Sequence, residues 1–176
     1  MDVNEEIVIQ YIKLIKKWFY MTDISFEVPH NYSNIDLLAY DPGNNKYYDI
    51  EVKYRSAFSL TLKNMNENAE FLKFVSQLLR PERTKKIKEI IGSNKHSKVF
   101  VTTESLFGKS ESKRQQVKNS FIDEIQKQGY DCEIWYFDKI TNELFEKVDV
   151  KGKYDTELIQ TIRLIKTHVK IKTENK

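Results

Sequence analysis

The sequence has little of what builds covalent frameworks or long loops. A single cysteine, Cys132, rules out an internal disulfide. It lies in an apolar run, DCEIWYF, where a buried and inert thiol is expected. Only 5 glycines and 3 prolines are present, which argues against long irregular connections. No apolar stretch is long enough to span a membrane. The N-terminus, MDVNEE, is acidic and lacks the pattern of a signal peptide, so a cytoplasmic protein with no membrane partner is expected. The histidines, His30, His96 and His168, are scattered and have no cysteine cluster beside them, which removes the spacing of a zinc site. No glycine-rich phosphate loop and no Gly-x-Ser-x-Gly elbow occurs, which sets aside a nucleotide-driven motor and a serine hydrolase. The excess of positive over negative charge is also small. The formal balance of +3 permits a nucleic-acid partner without requiring one.

What is present suits a single globular domain. The 176 residues are enough to bury a sizeable core, and 40% are apolar against 31% charged. Residues 3–20 carry a helical pattern, with Val8, Ile12, Ile15 and Phe19 on one side and Glu6, Gln10, Lys13 and Lys17 forming a polar stripe. Glu5 falls at the border of the apolar arc, and Asp2 or Asn4 is placed to cap the start. Strands are expected over 24–29, 35–40 and 47–55, with the turn Asp41-Pro42-Gly43 between the last two, which is the pattern of an antiparallel meander. A helix follows over 64–80, with Phe71, Phe74, Val75, Leu78 and Leu79 as its apolar face. Pro81 opens a second, basic helix that stops near Gly92. The strand KVFVTT, a helix over 110–128 and the strand DCEIWYF suggest a parallel crossover. Asp138 is placed to cap the short helix KITNELFEK. A last apolar pattern, Leu158, Ile159, Ile162, Ile165 and Val169, precedes a polar tail.

The stretch Asn34–Arg55, NIDLLAYDPGNNKYYDIEVKYR, concentrates the chemistry. Strand side chains alternate, so Glu51 and Lys53 share a face while Ile50, Val52 and Tyr54 point toward a core. Asp36 lies on the hairpin partner, between Ile35 and Leu37, where aspartate is disfavoured unless it serves a purpose. Two acids on paired strands, with an ammonium group beside them, can hold a divalent metal and hydrolyse a phosphodiester. Glu-x-Lys recurs at Glu111–Lys113 and Glu174–Lys176, and Asp149–Lys151 is close to it. Glu111 opens a helix, where an acid is favoured by the dipole alone. Glu174 lies in the tail, and Asp149 has no hairpin partner with an acid. Asp49 shares the Glu51 face and reads as a solvated edge residue or an accessory acid. Tyr47, Tyr48 and Tyr54 read chiefly as packing residues.

An acid on one strand followed by Glu-x-Lys on the next resembles the PD-(D/E)xK, or restriction-endonuclease-like, nuclease superfamily, with Ile35-Asp36 in place of Pro-Asp. The stretch VFVTTESLF, a helix, and CEIWYFDKITNELF look like the later half of Mrr-type restriction domains and archaeal Holliday-junction resolvases. The resemblance covers roughly residues 1–147. It implies an α/β fold with a mixed central sheet, three antiparallel strands plus parallel crossover strands, flanked by helices. Residues 1–150 would form the nuclease-like domain, and 151–176 a C-terminal helix and polar tail for packing, oligomer contact or linkage.

The resemblance further implies a Mg²⁺- or Mn²⁺-dependent endodeoxyribonuclease with Asp36 and Glu51 as metal ligands and Lys53 beside the attacking water. Glu5 would be the helix acid that completes the metal shell, with Glu6 as its alternative. Gln77 would complete the site from the following helix. Arg55, Arg80, Arg83, Lys85 and Lys86 follow the site in sequence and are candidates for phosphate contact, against an ordinary solvated basic helix face. The partner implied is duplex or branched DNA, with a homodimer, a partner subunit or a fused domain as further expectations. A structure-selective junction resolvase and a non-catalytic DNA- or protein-binding module on a nuclease fold are the alternatives.

Overall fold

The computed structural model describes residues 2–54, 69–152 and 156–168. Asp2 caps the first helix, α1 (Val3–Tyr11), accepting from the Asn4 N–H at 3.1 Å, and the Glu5 carboxylate accepts back from the Asp2 N–H at 3.4 Å. The helix widens into a π-helical segment over Ile12–Lys16 and ends at Lys17, whose φ of 58° is left-handed. The chain then enters β1 (Phe19–Val28). The helix expected over 3–20 is therefore too long, because β-forming FYMTDISFEV outweighs the helical period once Lys17 turns the backbone. Phe19, expected on the buried face, is 69% exposed. Trp18 instead stacks on Tyr48, ring centroids 4.5 Å apart.

β1, β2 (Asn31–Asp41) and β3 (Lys46–Val52) form the expected antiparallel meander. The β2–β3 turn is fastened by Asp41, which accepts from the Gly43 N–H at 2.9 Å and from the Asn44 side chain at 2.7 Å. Helices α2 (Ala69–Leu79) and α3 (Pro81–Ile91) follow. β4 (Ser97–Thr102) pairs parallel with β3. A short 3-10 turn at Glu104–Phe107 leads to α4 (Glu111–Gln126), and β5 (Cys132–Tyr136) pairs parallel with β4. The sheet order is β1-β2-β3-β4-β5. Helix α5 (Phe137–Lys147) starts with Tyr136 as its cap, so Asp138 lies in the first turn and does not cap it. Helix α6 (Glu157–His168) closes the described chain, with Lys166 Nζ donating to the carbonyls of Phe145 at 2.8 Å and Val148 at 2.7 Å. The protein is thus α/β, a five-stranded mixed sheet flanked by helices.

Alternation in β3 divides the molecule. Tyr48, Ile50 and Val52 pack with Val8, Ile12 and Leu144 beneath α1 and α5. On the other face, Phe100 packs with Phe74, Leu78 and Phe121 beneath α2 and α4. Ile87 of α3 is buried against Ile24, Phe26, Ile35 and Leu38 of the meander. Burying that one side chain contributes about 1.5–3 kcal/mol and seats α3 over β1–β2. Position fixes what comes next: Arg83, one turn before Ile87 on the same face, is driven onto the sheet as well.

Candidate active site

Continuing the register one residue past Leu37–Ile50 sets Asp36 opposite Glu51. Both carboxylates lie on the face beneath α3, and Lys53 joins them. Its ammonium group is 2.8 Å from Glu51 Oε1 and 3.6 Å from Asp36 Oδ2. Asp36 Oδ2 also accepts the Val52 N–H at 2.7 Å, which ties the acid to the neighbouring strand. The three residues singled out in the sequence therefore come together. Lys53 is the opening of the cluster to solvent, with a quarter of its side chain exposed, against 12% for Asp36 and 4% for Glu51.

Beneath this triad lies a second layer. Arg83 is 2% exposed. Its Nη1 donates to Glu51 Oε2, and its Nε and Nη2 donate to Asp49 at 2.6–3.0 Å. Lys98, fully buried in β4, donates to Asp49 Oδ2 at 2.7 Å. Asp49 is itself fully buried, so its reading as a solvated edge acid is corrected. Arg83 is likewise corrected from a phosphate-contact candidate to a core cation, because α3 presents it to the sheet on the same face as Ile87. Three carboxylates thus meet three cations in one connected cluster.

The cluster sets its own protonation. Burial and the nearby Glu51 charge push the Asp36 carboxyl up to about 6, against the pull of Lys53. Burial also opposes the Asp49 charge, but the Arg83 and Lys98 cations outweigh it and hold that carboxyl at about 2. Lys53 resists the lowering effect of burial, since Glu51 and Asp36 raise it above its ordinary value. Lys98 goes the other way, lowered by burial in spite of Asp49. An ammonium group held charged by two acids is a donor and a stabiliser of negative charge rather than a base.

Among the described residues, no hydrogen bond or ion pair links the remaining sequence candidates to this cluster. The Glu5 carboxylate is engaged by the Asp2 N–H at the helix start, and Glu6 accepts from the Gln10 side chain at 2.7 Å. Among the described residues no group of three histidine, cysteine, aspartate or glutamate side chains is arranged to hold a metal ion, so neither Glu5 nor Glu6 joins Asp36 and Glu51. Gln77 Oε1 is buried and takes no hydrogen bond among the described residues. Lys85 is exposed, Arg80 half-buried, and Lys86 half-buried at 3.6 Å from Glu89. Arg55 lies outside the described residues, as do residues 64–68 of the helix expected there and Val169 of the tail. The side chain of Phe71 is likewise outside them. The buried roles of Asp49 and Arg83 escape sequence reading, and Lys98 is not singled out by it at all. The one signal available was the four-residue spacing of Arg83 and Ile87, which places the arginine on the apolar side of its helix.

No protein-family model matches the chain, and no curated protein matches it. Among solved structures the chain is similar to the crystal structure of a protein of unknown function, AF1548, at 12% identity and a TM-score of 0.44, over 94% of this chain and 78% of that one. Among the described residues no helix is long and apolar enough to cross a membrane.

Proposed function

We propose that this protein is a Mg²⁺- or Mn²⁺-dependent endodeoxyribonuclease of the restriction-endonuclease-like fold, acting in DNA restriction or processing. The observation that carries the reading is the Asp36–Lys53–Glu51 cluster, held on one face of a hairpin within a mixed sheet. Mg²⁺ retains several waters and is commonly held by one or two carboxylates plus substrate phosphate, so Asp36 and Glu51 fit it without a third acid. Burial and the facing Glu51 charge raise the Asp36 carboxyl even with Lys53 beside both acids, so further positive charge would be welcome there.

In this reading Asp36 and Glu51 bind the ion, which when bound polarises the scissile phosphoryl group and stabilises the leaving oxygen. Lys53, charged and partly exposed, donates to the attacking water or to a phosphate oxygen and offsets the charge that develops as the water oxygen bonds to phosphorus and the ester oxygen departs. Lys85 and Lys86 on α3, Arg80 at its N-cap and Arg55 supply contacts to the phosphate backbone of the duplex.

The same cluster supports a second reading. Three acids balanced by three cations is also a self-sufficient buried network, as a non-catalytic binding module on this fold would keep. Purified protein with Mg²⁺ or Mn²⁺ on plasmid, linear, single-stranded and four-way-junction DNA, beside Asp36→Ala and Lys53→Ala, separates the two. The nuclease reading expects cleavage by wild type alone, with preference for the junction marking a resolvase. Equal cutting by all three proteins, or none under any metal, leaves the binding module.

A further inference from the structure

Each acid of the triad has one oxygen fixed by the protein. Asp36 Oδ2 takes the Val52 N–H, and Glu51 Oε2 takes Arg83 Nη1. The other two oxygens are Asp36 Oδ1, which has no hydrogen bond among the described residues, and Glu51 Oε1, which meets Lys53 at 2.8 Å. Arg83 in turn is clamped by Asp49, and Asp49 by Lys98.

Building on the metal-dependent reading above, we infer that Arg83 is a positioning residue: anchored by Asp49 and Lys98, it turns the Glu51 carboxylate so that a single oxygen, Oε1, faces the metal position. A guanidinium suits this task because its planar fork fixes the orientation of the acids it bonds, whereas an ammonium group on a flexible stem acts as a point charge and fixes none. Metal-site acids are commonly oriented by such outer partners, and losing one typically weakens metal affinity by about 10–100-fold.

Simple electrostatics points the other way. A buried cation beside a metal ligand repels a divalent ion, so Coulomb's law alone expects tighter binding when Arg83 loses its charge and unchanged binding in Arg83→Lys. Positioning expects weaker binding in Arg83→Lys, because the charge stays while the bridge to Glu51 is lost. A purely structural role lowers stability and leaves the affinity of the folded protein unchanged.

The test is Mn²⁺ affinity by calorimetry and electron paramagnetic resonance on wild type, Arg83→Lys, Asp49→Asn and Glu51→Gln, with circular dichroism as the check on folding. Crystal structures of wild type and Arg83→Lys accompany it. The expected result is an affinity about 10–100-fold lower in Arg83→Lys, a smaller loss in Asp49→Asn, and a Glu51 carboxylate rotated from its wild-type orientation. Asp49→Asn covers the case in which Arg83→Lys does not fold. Unchanged or tighter Mn²⁺ binding with Glu51 in place overturns the inference. If wild type shows no Mn²⁺ binding that Glu51→Gln abolishes, the metal-dependent function falls, and the Glu51 orientation in the two crystal structures then decides the role of Arg83 by itself.

Discussion

Asp36→Asn is expected to stabilise the metal-free protein at neutral pH. Asparagine has nearly the shape of aspartate and keeps an oxygen for the Val52 N–H, a bond of 2.7 Å in the native site. It removes a charge that burial and Glu51 disfavour, and gives up an ion pair to Lys53 at 3.6 Å. The Asp36 carboxyl titrates at about 6 in the fold against 3.8 ordinarily. At about 1.4 kcal/mol per pKa unit, the ionised form costs about 3 kcal/mol at pH 7. The pull of Lys53 is already contained in that value, so removing the charge gains about 3 kcal/mol.

The sign with pH follows from proton counting. Between 3.8 and about 6 the folded chain holds the Asp36 proton and the unfolded chain does not. The wild type therefore loses stability as pH rises through that window, whereas the variant, which has no carboxyl at this position, does not. Urea unfolding in the presence of a chelator, at several pH values from 4 to 7.5, reads the difference. The advantage of Asp36→Asn should be near zero at the acid end and complete above about pH 6.5. A variant less stable than wild type at pH 7, or a difference flat across the range, refutes the reasoning.

Other expectations follow from the same geometry. Arg83→Ala leaves Asp49 and Glu51 buried without their guanidinium and should cost about 3–5 kcal/mol in urea unfolding, far more than Lys85→Ala on the exposed side of the same helix. Lys53→Ala should lower metal-dependent DNA cleavage by about 10²–10³-fold in single-turnover kinetics while leaving the circular dichroism spectrum unchanged. Burial raises the Cys132 thiol to about 12, so a thiol reagent at pH 8 should modify it only at the rate at which the chain unfolds. Labelling faster than unfolding would place that thiol at the surface.

Much of the molecule can be read from the chain because its signals are local. Period-two alternation and the Asp41-Pro42-Gly43 turn specify the β2–β3 hairpin, and that hairpin alone requires Glu51 and Lys53 to share a face. The order of strands and helices, the parallel placement of β4 and β5, and the buried cysteine follow in the same way from apolar period and connection length. The end of the first helix was not legible, because the apolar period runs on through Trp18 and Phe19 and only the left-handed turn at Lys17 breaks it.

The second layer of the site belongs to tertiary structure alone. Arg83 and Asp49 are 34 positions apart, and Lys98 and Asp49 are 49 apart. In sequence, Arg83 lies in the basic run PERTKK and Lys98 at the start of a short strand, both of which look solvated. They become buried because β4 is covered on both faces and α3 is seated by Ile87. A charge carried inward by the packing of its neighbours must find an opposite charge there, and Asp49 and Glu51 are the acids within reach. The sequence by itself determined that Asp36, Glu51 and Lys53 share one face of the hairpin. The packing of α3 against the sheet decided what holds Glu51 in place and how strongly Asp36 holds its proton.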